Sequence, residues 1–223
     1  DYSKLSEAPA QGFIRDPVMI LLHHLRIGRS LFTVWQLEEF GIDYEIKVYH
    51  RDPKTFLAPA ELKAVHPLGK SPVIEDSDIM LSESGAITSY LLEKFDVENK
   101  FSPPRSQSQE WAKFTQWLHY PEGSVFCPLL VTMLLLRSKE PHVTLTPYSE
   151  RETKLHLGHI ADQLGDREYI LGEAFSAADF GMTYVVSLAK RLGLLDSYPT
   201  LNSYLEQNQA RPAFKRAVEK AVE

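Results

Sequence analysis

Residues 69–86, which read GKSPVIEDSDIMLSESGA, carry the pattern that decides the fold. Val73-Ile74 and Ile79-Met80-Leu81 flank a polar cluster, and two short apolar runs around such a cluster predict a β-hairpin. From Ser84 onward, apolar side chains recur at positions 87, 90, 91 and 95, which is the spacing of an amphipathic helix. We therefore expect this segment to form a strand, a turn, a second strand and a helix.

The sequence before this segment predicts a strand, a helix and a second strand. Val18–Leu22 is a short apolar run, as expected of a strand covered on both faces, and we expect it to stop at His23. Arg29–Phe40 has apolar residues at helical spacing, and Gly41 supplies a C-terminal stop. Tyr44–Tyr49 alternates large or apolar with charged side chains, as a half-exposed strand does. The order βαβ followed by ββα predicts an α/β domain with a right-handed crossover.

The second half of the chain shows helical patterns only. The boundary falls near Ser102-Pro103-Pro104-Arg105, whose composition is typical of a linker. We therefore expect two domains, a small α/β domain followed by a larger all-α domain. The predicted divisions are an N-terminal tail at 1–16, the α/β domain at 17–97, the linker at 98–106 and the all-α domain at 107–223.

The composition of the 223-residue chain is that of an ordinary globular protein, with 43% hydrophobic and 24% charged residues. Its formal net charge of −6 repels polyanions, so we do not expect nucleic acid as a partner. The single cysteine, Cys127, lies in an apolar run, where a cysteine is usually a small buried side chain. We find one thiol, no apolar run of the ~20 residues that span a membrane and no basic signal segment in this sequence. These features predict a cytoplasmic protein without a membrane partner.

The dipeptide Ser71-Pro72 opens the first strand of the predicted hairpin. A cis bond before Pro72 would turn the backbone N–H and C=O of Ser71 outward, where an extended peptide ligand can pair with them as a short strand. The structural alternative is an ordinary trans proline at a strand edge. The dipeptide by itself favours that alternative.

The helix start at Glu83-Ser84-Gly85-Ala86 is the second candidate for ligand binding. Ser84 is expected at the N-cap, and a helix start binds an anion through its free N–H groups and a nearby hydroxyl. The carboxylate of Glu83 could hold an ammonium group next to that anion. An amino acid end such as a γ-glutamyl group carries both charges, although a plain helix cap explains Ser84 equally well.

These residues resemble the glutathione transferase family, and the resemblance covers nearly the whole chain. The segments LAPAELKAVHPLGKSPVI at 57–74, WQLEEFG at 35–41 and HYPEGS at 119–124 are similar to the bacterial and fungal branch of the yeast Gtt-type enzymes. The resemblance implies a thioredoxin-like N-terminal domain and an all-α domain in a homodimer. It also implies glutathione as co-substrate, no permanently bound cofactor and a small hydrophobic electrophile as second substrate.

The family resemblance also implies how glutathione is held. Pro72 would be the cis-proline, and Ser71 would bind the cysteinyl backbone of glutathione. Glu83 and Ser84 would bind the γ-glutamyl end, and Lys70 would lie near the glycyl carboxylate.

The loop after the first predicted strand departs from the family pattern. Gly28 stands where the first serine of this branch is expected, and only Ser30 keeps its place. A thiol of pKa ~8.5 is mostly protonated at neutral pH, so the family stabilises the glutathione thiolate with a donor near the start of the first helix. Ser30 could be that donor, or the Gly28 and Arg29 amides could act with the charge of Arg29, or activity could be weak or lost. The structural alternative is that Ser30 bonds only its own backbone.

Other candidate residues lie in the predicted all-α domain. Tyr120, Glu122 and Ser124 interrupt a helix and are predicted to face the cleft where the family holds its electrophile, the alternative being a kinked packing motif. His156 and His159 share a helix face, but two histidines at this spacing without further ligands more often lie in contact with solvent than bind zinc, so we expect no metal. The segment 175–180 reads as a capping box with a hydrophobic staple and a structural role.

The function that we predict is transfer of the glutathione thiolate to an apolar electrophile. One alternative is a glutathione-dependent peroxidase or reductase, which the absence of a cysteine near Gly28 disfavours. The other is a glutathione-binding interaction module that has lost catalysis. The missing serine favours this second alternative, whereas the intact Lys70, Ser71, Glu83 and Ser84 disfavour it.

Overall fold

The computed structural model describes residues 19–138 and 140–223. The predicted tail at 1–16 and Val18, the first residue of the predicted first strand, lie outside them. Within the described residues, the α/β part runs in the order β1 (Ile20–Leu25), α1 (Ser30–Phe40), β2 (Tyr44–Tyr49), α2 (Glu61–Val65), β3 (Val73–Asp76), β4 (Ile79–Ser82) and α3 (Ser84–Phe95). The predicted βαβ–ββα order is confirmed.

The strands form one mixed sheet in the order β2-β1-β3-β4. β1 pairs in parallel with β2, because a crossover helix lies between them, and β3 is antiparallel to both β1 and β4. The inner position of β1 explains its apolar sequence, since Ile20 and Leu22 are fully buried. The carboxyl end of β1 leads directly into the start of α1.

The predicted end of β1 at His23 is wrong, because the strand continues to Leu25. Both histidines at its end are buried, and both ring nitrogens of His23 have polar partners in the fold. His23 Nδ1 lies 2.9 Å from the Tyr49 hydroxyl, and its Nε2 lies 2.7 Å from Glu75 Oε1. A buried histidine with such partners is compatible with a strand interior.

The rest of the described chain is helical. Its elements are α4 (Ser108–Tyr120), a π-helical turn (Pro121–Val125), α5 (Phe126–Leu135), α6 (Leu145–Leu164), α7 (Ala178–Arg191), α8 (Pro199–Ala210) and α9 (Pro212–Ala221). The predicted helix interruption is this π-helical turn, a feature that is frequent at functional sites. No helix in the described part of the chain is long and apolar enough to cross a membrane.

An aromatic cluster joins the two parts of the chain in one hydrophobic core. Trp35 of α1 is fully buried, and its ring packs edge-on against Phe180 at 4.9 Å and Phe214 at 5.2 Å between centroids. Phe175 packs against the same ring at 5.4 Å. α1 is thus held between the sheet and the all-α domain, which fixes the position of its first turn.

The capping box predicted before α7 is present only in part, because α7 begins at Ala178 with Ala177 at the N-cap position, and the Ser176 hydroxyl donates to Asp179 instead of accepting from its N–H. Asp179 is fully buried and accepts hydrogen bonds from the Ser176 N–H at 2.9 Å and the Ser176 hydroxyl at 3.0 Å. It also accepts from the Ile170 N–H at 3.0 Å and the Tyr204 hydroxyl at 2.8 Å. The staple rings of Phe175 and Phe180 lie 5.2 Å apart. The box ties α7 to α8 and to the loop before it.

The predicted burial of Cys127 is wrong, because this residue is exposed. α5 is apolar on most of its surface, yet its buried residues are Pro128 and Leu129. A uniformly apolar helix does not tell which face packs inward, so the hydrophobic run was a poor guide to the exposure of the thiol.

Charged residues of α9 bind a glutamate of α1. The Glu38 carboxylate accepts hydrogen bonds from Arg216 Nε and from the Tyr44 hydroxyl, both at 2.8 Å, and it also pairs with Lys220. Burial raises the pKa of Glu38, but these three partners outweigh it and hold the pKa below its ordinary value. The ionised carboxylate is therefore the form that the fold stabilises.

We expect Glu38→Gln to lower the free energy of unfolding by about 1–2 kcal/mol at neutral pH, because both cationic partners are half exposed. The pKa of Glu38 is lower in the folded than in the unfolded protein, so the stability that its carboxylate contributes is present above the unfolded-state pKa. It is lost as the pH falls through the folded pKa. Denaturant titrations of both proteins from neutral pH to below about pH 4 measure this. A stability difference that does not shrink in acid would contradict the account.

Candidate active site

The segment around Ser71 lies next to the carboxyl end of β1. The Ser71–Pro72 peptide bond is cis, as the family resemblance implied. The Ser71 hydroxyl donates to the His23 carbonyl at 2.8 Å and accepts from the Leu25 N–H at 3.0 Å. Lys70 precedes it and is exposed. This segment is therefore fixed to β1 through the serine side chain.

The start of α3 presents a polar atom that has no partner. α3 begins at Ser84, and Glu83 occupies the N-cap position with φ 73°, without a side-chain cap hydrogen bond. The prediction of Ser84 as N-cap is therefore wrong. The Ser84 hydroxyl is buried and, within the described residues, lacks a hydrogen-bond partner. Because buried polar atoms are normally satisfied, this hydroxyl and the exposed Glu83 beside it are suited to receive a polar ligand.

The Ser30 hydroxyl contacts β1. Its Oγ lies 2.9 Å from His24 Nδ1 and 3.2 Å from both the N–H and the C=O of Leu25. Ser30 is only 1% exposed. Glu223 Oε1 lies 3.2 Å from His24 Nε2, in a contact that is not aligned for a hydrogen bond. The structural alternative for Ser30 is thus wrong, since the partners of its hydroxyl among the described residues lie in β1 and not in its own helix.

Arg29 points toward the all-α domain. Its Nη1 donates to Glu122 Oε2 at 2.8 Å, and its guanidinium lies 4.3 Å from the ring centroid of Phe126 and 5.5 Å from that of Tyr184. Burial raises the pKa of Glu122, while Arg29 opposes the rise and the charge of Glu83 adds to it. The ion pair therefore joins the first turn of α1 to the π-helical turn.

The three predicted electrophile residues, Tyr120, Glu122 and Ser124, do not line a common cavity. Glu122 lines a cavity of about 30 Å³ between α1, α3 and α7. Tyr120 faces α6, where its hydroxyl lies 2.6 Å from His156 Nδ1, and burial raises its pKa to about 12. Ser124 is half-buried and does not line this cavity. No group of three or more metal-ligating side chains occurs within residues 19–138 and 140–223.

Several cavity residues were missed by sequence reasoning. Gln36 is buried, with its Oε1 accepting from the Thr88 hydroxyl at 3.0 Å and its Nε2 unpaired among the described residues. Tyr184 of α7 also lines the cavity, and burial raises the pKa of its hydroxyl. A polar residue in the buried stripe of α1 was a signal that could have identified Gln36. Nothing local in the sequence identifies Tyr184.

Arg51 was also missed, and it lies beside the β1–α1 loop. Its Nε donates to the Arg26 carbonyl at 3.2 Å, and its Nη2 donates to the Ile27 carbonyl at 3.0 Å. Its Nη1 donates to the Phe56 carbonyl at 3.2 Å. Burial lowers the pKa of Arg51, an effect that the charges of Tyr184 and Glu223 oppose. The loop that contains Gly28 is therefore bordered by two guanidinium groups.

Two family models match the chain. The family described as "Glutathione S-transferase, N-terminal domain" matches residues 17–93, and the one described as "Glutathione S-transferase, C-terminal domain" matches residues 130–221. The first match contains Ser71, Glu83 and Ser84. The second contains the helices α6 to α9, of which α7 lines the cavity.

Similar proteins and solved structures agree with these matches. Glutathione S-transferase 3 of Schizosaccharomyces pombe is 34% identical over 220 residues, covering 91% of this chain and 88% of that protein. Glutathione S-transferase 1 of Saccharomyces cerevisiae is 26% identical, covering 91% and 95%. The crystal structure of a glutathione S-transferase from Actinobacillus pleuropneumoniae has a TM-score of 0.84 at 34% identity, covering 92% and 93%. The chain therefore belongs to the glutathione S-transferase family.

Proposed function

We propose that this glutathione transferase binds glutathione in the groove bordered by Ser71, the start of α3 and the start of α1. The unpaired, buried hydroxyl of Ser84 next to exposed Glu83 is the observation that carries this proposal. Structures of similar fold support glutathione as the co-substrate: a homologue from Lodderomyces elongisporus was solved with two GSH per subunit, at a TM-score of 0.77 and 23% identity, covering 90% of this chain and 98% of that one.

Each part of glutathione has a proposed partner. The glutamyl residue of glutathione is linked through its γ-carboxyl group, so it keeps a free ammonium and a free α-carboxylate. The ammonium suits Glu83, and the carboxylate suits the free N–H groups and hydroxyl at Ser84. The backbone of Ser71 pairs with the cysteinyl residue as a short strand. The exposed Lys70 supplies positive charge for the glycyl carboxylate. In this proposal the thiol lies at the first turn of α1.

The thiolate is stabilised at the N-terminus of α1. The Ser30 hydroxyl is buried against His24 and Leu25, so its hydrogen bonds are already used. Of the three readings, the second therefore fits best in its Arg29 part, the amide and guanidinium of Arg29, because the bond from Arg51 to the Ile27 carbonyl turns the Gly28 N–H away from Arg51. Oriented N–H groups and a held cation need no reorganisation when the sulfur becomes charged. The rate gain also includes holding thiolate and electrophile together, which makes their reaction effectively unimolecular.

The electrophile is proposed to lie between the thiolate and the all-α domain. Glu122, Phe126 and Tyr184 border Arg29 on that side, so an apolar or aromatic electrophile finds ring surface next to the reacting sulfur. Tyr120 and Ser124, although expected to line this site, do not border its cavity. A homodimeric assembly and a cytoplasmic location, which the family resemblance implies, are part of the same proposal.

Retention on immobilised glutathione, together with turnover of an aryl halide, tests this function. We expect the protein to be retained, to be eluted by free glutathione and to form the aryl thioether of glutathione. Retention without turnover of the aryl halide would favour the interaction module. Faster consumption of a hydroperoxide than of the aryl halide would favour the peroxidase. A protein that is not retained would contradict the proposed glutathione site.

A further inference from the structure

Arg51 has hydrogen-bonding capacity left over at the β1–α1 loop. A guanidinium group carries five N–H donors. Among the described residues, three of them are used by the carbonyl groups of Arg26, Ile27 and Phe56. One N–H therefore remains on each terminal nitrogen of Arg51. The half-buried position of the side chain makes an ionic partner for these donors favourable.

The remaining donor on Nη2 lies next to Gly28. A Cβ atom built on Gly28 would be 3.4 Å from Arg51 Nη2 and 3.1 Å from the Leu25 carbonyl oxygen. A serine side chain at this position would therefore contact the guanidinium. In this chain the glycine leaves that space open, and Arg51 is the charged donor that borders it.

The loop presents its amides opposite Arg51. Because the C=O and N–H of a trans peptide point in opposite directions, the bonds from Arg51 to the Arg26 and Ile27 carbonyls turn the N–H groups of Ile27 and Gly28 the other way. The Ile27 N–H indeed donates to Glu223 at 2.8 Å. Arg51 therefore borders the space beside Gly28 and also orients the loop. A test has to separate these two effects.

We propose that Arg51 stabilises the thiolate of bound glutathione, in place of the hydroxyl side chain that position 28 lacks. The inference rests on the proposed function, which puts the sulfur at the first turn of α1. The S–H bond of glutathione breaks and its proton passes to water, while no other bond to sulfur changes. The guanidinium keeps its protons. The negative charge of the thiolate then lies beside a permanent positive charge.

The test compares Arg51→Gln, Arg51→Lys and the control Arg105→Gln, which changes an exposed arginine paired with Glu93. The ultraviolet absorbance of the thiolate, followed against pH, gives the midpoint for each protein, which is the pH at which half of the bound glutathione is ionised at its thiol. S-methylglutathione, which has no ionisable thiol, reports binding alone. We expect Arg51→Gln to raise the midpoint by about one pH unit, a tenfold loss of thiolate, and Arg51→Lys to raise it less. Affinity for S-methylglutathione should change less than about twofold, and Arg105→Gln should match the wild type in both measurements.

A rescue variant separates charge stabilisation from loop shape. Gly28→Ser combined with Arg51→Gln puts a hydroxyl next to the lost guanidinium, with its Cβ about 3.1 Å from the Leu25 carbonyl oxygen, and it should recover part of the lost thiolate. An unchanged midpoint in Arg51→Gln would overturn the proposal. So would an equal loss of affinity for glutathione and S-methylglutathione, since that is the signature of a misplaced loop. If Arg51→Gln does not fold, the midpoint of Arg51→Lys decides, and a wild-type value overturns the proposal. A wild-type protein that binds neither ligand would instead refute the proposed function.

Discussion

Asp179→Ala is expected to lower the free energy of unfolding by about 3–5 kcal/mol. The Asp179 carboxylate is fully buried and accepts hydrogen bonds from Ile170, Ser176 and Tyr204. Alanine would leave all of these donors buried without an acceptor, and each such loss costs roughly 1–3 kcal/mol. Denaturant-induced unfolding of both proteins gives the difference.

The control for this prediction is Asp162→Ala, which removes an exposed aspartate from α6 and should change stability by less than about 0.5 kcal/mol. Asp179 touches no part of the proposed glutathione site, so glutathione affinity of the folded Asp179→Ala protein should stay near the wild-type value. Near wild-type stability with lost affinity would show that Asp179 has a binding role that we do not assign to it.

Glu83→Gln is expected to weaken glutathione binding about 10- to 100-fold. A hydrogen bond to a charged group contributes about 1.5–3 kcal/mol, and the glutamine keeps the shape of the side chain but not its charge. Because Glu83 is exposed, the fold should not depend on this charge. Calorimetric titration with glutathione measures the effect.

An analogue of glutathione that lacks the α-amino group provides the ligand control. Wild type should bind this analogue about as weakly as Glu83→Gln binds glutathione, and Glu83→Gln should not discriminate between the two ligands. Glu93→Gln, which removes an exposed carboxylate from the same helix, should bind glutathione like the wild type. Full discrimination in Glu83→Gln would show that another group holds the ammonium.

The fold was predictable where the determining pattern is local. The hairpin β3–β4 and α3 follow from polar and apolar spacing within 69–86. The end of β1 was missed because His23 and His24 look like a polar stop. The partners of His23, Tyr49 and Glu75, lie 26 and 52 residues from it in the sequence. A sequence pattern cannot reveal that distant residues will satisfy a buried imidazole.

The candidate site was likewise predictable only where its residues lie close together in the sequence. Ser71, Glu83 and Ser84 lie in one short motif and could be selected from it. Arg51 and Tyr184 could not, because only the fold brings the β2–α2 loop and α7 to the start of α1. The exposure of Cys127 was equally inaccessible, since it depends on which face of an apolar helix packs inward.

A crystal structure of the protein soaked with glutathione tests the central claim most directly. We predict the γ-glutamyl end at Glu83 and Ser84, the cysteinyl backbone paired with Ser71, and the sulfur within about 3.5 Å of the Arg29 amide or of Arg51 Nη2. Glutathione bound elsewhere, for example in the cavity of about 510 Å³ between α5 and α6, would contradict the account. So would a sulfur atom that faces away from the first turn of α1.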